Sequence, residues 1–179
     1  MLTRIFLFVP VILLVFASII VQQLSLPAIE NLIEEIHPAV AGISHQQLQR
    51  SLKNDSEASQ ILIFDVRRRE EYDVSHLKNA IPLNQNLSSE DFIRLHAAKL
   101  AGKKLVFYCS VGYRSSGFIE QIQQEASRLG YQSVQNLTGG IFRWYNEGLP
   151  VYKQNGLTDQ VHPYDAFWGR LLLKKKLKR

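Results

Sequence analysis

An α/β domain with a largely parallel sheet is predicted by three features of the sequence. Two short apolar runs, ILIFDV (Ile61 to Val66) and LVFYC (Leu105 to Cys109), read as buried strands, and YQSVQNL (Tyr131 to Leu137) reads as a third. Stretches with helical spacing lie between and after them, joined by short loops, and this alternation suits parallel strands with crossover helices. Cys109 closes the second run. In open α/β sheets, ligands bind beyond the carboxyl ends of strands, and Cys109 occupies such an end.

The elements follow in order. PAIENLIEEIHPAV, between Pro27 and Pro38, predicts a short amphipathic helix, and Gly42 marks the turn into the domain. Ser44 is placed to cap a helix through Leu52. After the first strand comes a polar stretch, RRREEYDVSHLKNAIPL. A helix follows from Ser88 or Ser89, with Phe92, Ile93 and Leu95 as its apolar members and Glu90 and Asp91 in the first turn, where the helix dipole favours them. SSGFIEQIQQEASRLG puts Phe118, Ile122, Ala126 and Leu129 at helical spacing and stops at Gly130. The third strand leads through Thr138-Gly139-Gly140 into a short helix, IFRWYNEG, where Trp144 and Tyr145 are expected in the core.

The 179 residues allow one sizeable core with extensions. The net charge is +5, but Arg170, Lys174, Lys175, Lys176, Lys178 and Arg179 fall in the last ten positions, and without these six the remainder carries −1. The basic character belongs to the tail, which argues against a nucleic-acid-binding domain. Phe167, Trp168 and the leucines beside those lysines suit either an anionic membrane surface or a terminal helix packed by its leucines.

At the other end, Ile5 to Val21 is an uncharged apolar run of 17 residues after Arg4. As a helix it would extend about 25 Å, and its neighbours bring it toward the roughly 30 Å of a bilayer core. A cleaved signal peptide competes with an uncleaved anchor, Val15 and Ala17 standing at suitable cleavage positions. Either reading places the domain outside the cytoplasm, as a membrane-anchored domain or as a secreted or periplasmic one. The expected organisation is an anchor or signal segment over 1–24, an amphipathic linker over 25–42, the domain over 43–152 and a basic amphipathic tail over 153–179.

The chain has one cysteine, so no intramolecular disulfide is available. A lone cysteine is ordinarily a small buried apolar side chain. Here its setting, Cys109-Ser110-Val111-Gly112-Tyr113-Arg114-Ser115-Ser116, is a strand-to-helix turn. Backbone N–H groups of such a turn converge as an anion-binding nest, and a thiolate there would be stabilised. Arg114 adds a fixed positive charge. An ordinary thiol is roughly 3% ionised at pH 7, and a downward shift of about two units, worth roughly 2.7 kcal/mol, makes it mostly thiolate. Cys109 is therefore the candidate nucleophile. His37, His45, His96 and His162 form no metal-ligand pattern, so neither a metal nor a cofactor is expected.

The loop C-S-V-G-Y-R-S resembles the Cys-x-x-Gly-x-Arg-Ser active-site loop of the rhodanese-like sulfurtransferases. FDVRRREEYDVSHLKNAIPL is similar to that family's Asp-Val-Arg, Glu-Tyr, Gly-His-Ile, Ala and Ile-Pro signature, and GYQSVQNLTGGIFRWYNEGLPV to its closing Leu-x-Gly-Gly, Trp and Gly-x-Pro segment. The resemblance covers roughly Ile43 to Tyr152. It implies a three-layer sandwich, a largely parallel sheet between helices. It also implies that Cys109 takes a sulfane sulfur from a donor such as thiosulfate, becomes a persulfide and passes the outer sulfur to a thiol or cyanide. The N–H groups of Ser110, Val111, Gly112, Tyr113, Arg114 and Ser115 would hold the persulfide, and Arg114 would help bind a small anionic donor. Asp65, Arg67 and His76 match signature positions and are expected to support the fold. Ser75 departs from the pattern, standing where the family has glycine.

Two other functions remain open. Phosphatases and arsenate reductases on this fold enclose five residues between cysteine and arginine, whereas Cys109 and Arg114 enclose four. A non-catalytic interaction module is the other, against which the retained cysteine, glycine and arginine speak.

Overall fold

The structure is a computed structural model that describes residues 25–84, 86–126 and 130–173. The apolar run Ile5 to Val21, the end of the basic tail and Leu129 lie outside them. Among the described residues no helix is long and apolar enough to cross a membrane.

Five parallel strands form the central sheet: β1 (Gly42–Ile43), β2 (Ile61–Asp65), β3 (Ile81–Pro82), β4 (Lys104–Tyr108) and β5 (Ser133–Leu137), in the order β1-β5-β4-β2-β3. The predicted α/β class with helices on both faces of a parallel sheet is the observed one. Alternation along β4 divides the core, because successive side chains of a strand point to opposite faces. Leu105, Phe107 and Cys109 join one cluster with Phe64, Phe92, Leu100, Ile119 and Ile122; Val106 and Tyr108 join the other with Leu48, Leu77, Ile141 and Phe142.

Seven α-helices surround the sheet among the described residues: α1 (Leu26–Ile36), α2 (His45–Lys53), α3 (Asp55–Ala58), α4 (Arg69–Val74), α5 (Ser89–Leu100), α6 (Tyr113–Ala126) and α7 (Gly140–Asn146). Local chemistry sets their starts. Ser44 and Gln47 make a reciprocal capping box at α2, and Ser88 Oγ accepts the Asp91 N–H at α5. Phe92 is fully buried on α5, worth about 1.5–3 kcal/mol, whereas Leu95 points to solvent. On α6 the buried apolar side chains among the described residues are Ile119 and Ile122, with Phe118 at the margin.

The segment read as a linker packs on the domain. Leu26, Ile29 and Ile33 of α1 are buried in the core, and Arg143 of α7 pairs with Glu30 through two hydrogen bonds of 2.8 and 2.7 Å. Residues following Tyr152 also return to the domain. β6 (Val151–Lys153) and β7 (Gly156–Thr158) form a hairpin, and a 3₁₀ turn at Trp168–Leu171 lays Trp168, Leu171 and Leu172 against the core. The limits at 43 and 152 follow the motifs; the packing extends beyond them at both ends.

Candidate active site

Cys109 follows the last residue of β4, and α6 begins four residues later at Tyr113. The intervening turn is tight because Gly112 adopts φ 106°, a left-handed conformation that L side chains avoid. The Gly112 N–H points back to donate to Cys109 Sγ at 3.2 Å. The first N–H groups of α6 have no carbonyl one turn earlier to bond, and a helix start of this kind favours an anion beside it. The thiol is almost fully buried, so its reactivity depends on the cavity above it.

Two neighbouring elements hold the loop. The N–H groups of Ile141 and Phe142, at the start of α7, donate to the carbonyls of Cys109 and Ser110, both at 3.0 Å. This close approach requires glycine at 140: a Cβ there would run into both carbonyl oxygens, that of Ser110 at 2.7 Å. From β5, Asn136 donates through Nδ2 to the Gly112 carbonyl at 3.2 Å and to Ser116 Oγ at 2.9 Å, and accepts from Ser115 Oγ at 2.6 Å. Sequence reasoning gave Asn136 no role. The signal was a polar side chain one residue before the end of the third predicted strand, at the carboxyl edge of the sheet.

Arg114 is turned toward α4. Its Nη1 and Nη2 donate to the two carboxylate oxygens of Glu71 at 2.9 and 2.8 Å, and Nη2 also reaches Ser110 Oγ at 3.0 Å. Ser110 Oγ in turn donates to Glu71 Oε1 at 3.1 Å. Burial alone would lower the arginine pKa, but the Glu71 hydrogen bonds, with electrostatic attraction from Cys109 and Glu71, outweigh it and raise it. Burial alone would raise Glu71; hydrogen bonding to Arg114 and its charge prevail and hold the carboxyl below its ordinary value. The guanidinium expected to meet an anionic donor thus already has an anionic partner. Glu71 lies in the Glu-Tyr signature but was assigned no role.

The supporting residues form a largely buried network beside the Glu71–Arg114 pair. Asp65 accepts from the Arg67 backbone and side chain at 2.7–3.2 Å and from Tyr108 Oη at 2.6 Å, while Tyr108 Oη accepts the Leu77 N–H at 3.1 Å. Burial and the Asp65 charge push the Tyr108 phenol well above its ordinary pKa, so it remains a donor. Arg67 Nη2 also donates to the Ser75 carbonyl at 2.5 Å. Ser75 itself is extended, at φ −169° and ψ 155°, so serine carries no backbone strain where the family has glycine. His76 stacks on Tyr72 with ring centroids 4.0 Å apart and bonds the backbone of Tyr152 in both directions. Through these contacts Asp65, Arg67 and His76 join β2, α4, β4 and β6, and among the described residues none of these hydrogen bonds reaches Cys109.

A cavity of about 140 Å³ lies over the thiol, lined by Cys109, Ser110, Val111, Tyr113, Arg114, Tyr164 and Trp168. The last two come from the segment after the hairpin. Among the described residues no group of three or more His, Cys, Asp or Glu side chains is placed to hold a metal ion.

A thiol that accepts a backbone N–H in a turn between a parallel strand and a helix has an arrangement suited to attack on an electrophilic sulfur. The fold agrees with solved structures. A thiosulfate sulfurtransferase from Pseudomonas aeruginosa superposes with a TM-score of 0.55 at 19% identity, over 80% of this chain and 25% of that one. An As–Sb reductase from Leishmania major gives 0.52 at 20% identity, over 61% and 79%. In sequence, a tRNA uridine(34) hydroxylase from Bordetella avium is 31% identical over 131 residues, 65% of this chain. The chain spans 51% of the length of that relative. The rhodanese-like domain family matches residues 47–147, which run from the capping box of α2 to the end of α7 and include the whole cysteine loop with Glu71, Asn136 and Gly140, and the chain belongs to that family.

Proposed function

We propose that this protein is a sulfurtransferase that carries a sulfane sulfur as a persulfide on Cys109. The observation that carries this reading is the Gly112 N–H directed at Cys109 Sγ from a turn enclosing four residues between cysteine and arginine. Cys109 thiolate attacks the outer sulfur of a donor, the new S–S bond forms, and the donor's remaining group leaves with the electron pair. Thiosulfate would release sulfite. A thiol or cyanide then removes the outer sulfur and restores the thiolate. With no second cysteine in the chain, the acceptor must come from outside.

Intact mass of the full chain before and after donor treatment tests this reading. Wild type should gain one sulfur, about 32 Da, and Cys109→Ser should gain none. No gain from thiosulfate, 3-mercaptopyruvate or an organic persulfide would leave an interaction module as the better description.

The sequence further supports membrane attachment, with the run Ile5 to Val21 as a tether, the basic tail near an anionic surface and the domain outside the cytoplasm. Fractionation of cells expressing the full chain should find it in membranes and resistant to carbonate extraction. Recovery in the soluble fraction at the mass of the uncleaved chain would overturn the attachment.

A further inference from the structure

The family match ends at residue 147, yet the cavity over Cys109 is lined by residues 164 and 168 as well. We infer that the segment 159–173 is the selectivity wall of this site, and that Tyr164 and Trp168 favour a sulfur donor with a small uncharged apolar body, an alkyl or aryl hydropersulfide, over an inorganic dianion. This rests on the sulfur-transfer reading and names its substrate class.

The segment is built as a fixed wall. Tyr145 Oη donates to the Asp159 carbonyl at one end; at the other, Asn146 donates to the Leu171 carbonyl and accepts the Leu173 N–H, at 2.7 and 2.9 Å. Asp165 Oδ1 accepts the N–H groups of Phe167 and Trp168 at 2.8 and 2.9 Å, fixing the turn that carries the indole. Trp168 packs against the core on one side and faces the cavity on the other.

Tyr164 carries the clearest sign of a constraint. It holds φ 68°, a left-handed conformation that is an outlier for a bulky side chain and costs on the order of 1 kcal/mol or more. In that conformation its ring lies 5.0 Å from the Arg114 guanidinium and 5.4 Å from that of Arg68. The phenol ring thus covers the arginine beside the thiol.

The lining then decides the ligand. Val111, Tyr113, Tyr164 and Trp168 present apolar surface, and the charge of Arg114 is matched by Glu71. A dianion entering here would lose hydration with no unmatched cation to replace it, whereas an apolar body gains by leaving water. The cavity has the volume of roughly four or five waters, which limits that body to a small group. The step is Cys109–S⁻ + R–S–SH → Cys109–S–SH + R–S⁻: one S–S bond forms, one breaks, R–S⁻ leaves with the electron pair, and no outside oxidant or reductant is needed.

The test compares rates of Cys109 loading by benzyl hydropersulfide and by thiosulfate, read by intact mass on the full chain. Wild type is set beside Tyr164→Gly, which removes the ring and relieves the left-handed backbone, and beside Trp168→Phe. The ratio of the two rates should favour the hydropersulfide in wild type and fall about tenfold in Tyr164→Gly, with a smaller fall in Trp168→Phe. An unchanged ratio in Tyr164→Gly, with both donors still loading, overturns the wall. If that variant does not fold, Tyr164→Asn, which also tolerates positive φ, decides by the same ratio. Loading of wild type by neither donor overturns the sulfur-transfer reading, and the wall falls with it.

Discussion

Glu71 and Arg114 form a two-point ion pair, Nη1 to Oε2 at 2.9 Å and Nη2 to Oε1 at 2.8 Å, that ties the start of α6 to α4 across 43 residues of sequence. The Glu71 side chain is 1% exposed and that of Arg114 27%. The pair orients the arginine beside the cysteine loop and matches its charge, so the two residues behave as one neutral, rigid unit.

Removing one member should be costly. Glu71→Ala leaves a part-buried guanidinium without its carboxylate and should lower stability by about 2–3 kcal/mol, below the 3–5 kcal/mol of a fully buried pair because Arg114 keeps some contact with water. Urea denaturation measures the loss. Persulfide loading should fall with it, since Ser110 loses its acceptor on Glu71 as well.

The same pair gives acid sensitivity with a definite sign. The Glu71 carboxyl is held below its ordinary value in the folded state, so its contribution is complete above the unfolded carboxylate pKa of about 4.3 and is lost as pH falls through the lower folded value. Melting temperatures of wild type and Glu71→Gln should therefore converge as pH drops from about 5 toward 3. Parallel curves for the two proteins would show that Glu71 is not the titrating group.

Gly140→Ala tests the dock beneath the loop. The added Cβ meets the carbonyls of Cys109 and Ser110, and alanine also pays for φ 55°. A loss of about 2–4 kcal/mol is expected, together with loss of persulfide formation. Retained loading at wild-type rate would mean that the loop geometry does not depend on this contact.

Ser75 predicts a gain. Its side chain is buried, and its hydroxyl has no hydrogen-bond partner among the described residues. Ser75→Ala removes the orphaned group without changing an extended backbone and should stabilise the domain by about 1 kcal/mol, raising Tm by about 2–4 °C. A lower Tm in differential scanning calorimetry would contradict this.

Two of the three main strands were legible in the sequence as apolar runs bounded by turn residues, the third as a short segment between Gly130 and the Thr138-Gly139-Gly140 turn, and the capped helices because Ser44 and Ser88 carry local signals. The short helix α4 and the strands β1 and β3 were not. REEYDV has no hydrophobic period to reveal it, and strands of two residues exist only through their partners Leu137 and Phe64. Ile119 was missed on α6, and the apolar members of α5 did not show that Phe92 is buried and Leu95 exposed, because spacing alone identifies a helical face without showing which neighbour covers it.

Cys109, Gly112 and Arg114 could be singled out because the chemistry of a strand-to-helix turn is local: a nucleophile, a residue free to adopt positive φ and a cation lie within six positions. Tertiary structure alone decided what surrounds them. Glu71 takes up the arginine, Asn136 braces the loop and Tyr164 and Trp168 line the cavity. These residues approach the thiol from 38 positions before it to 59 after it in sequence, through packing whose energetics no local pattern records.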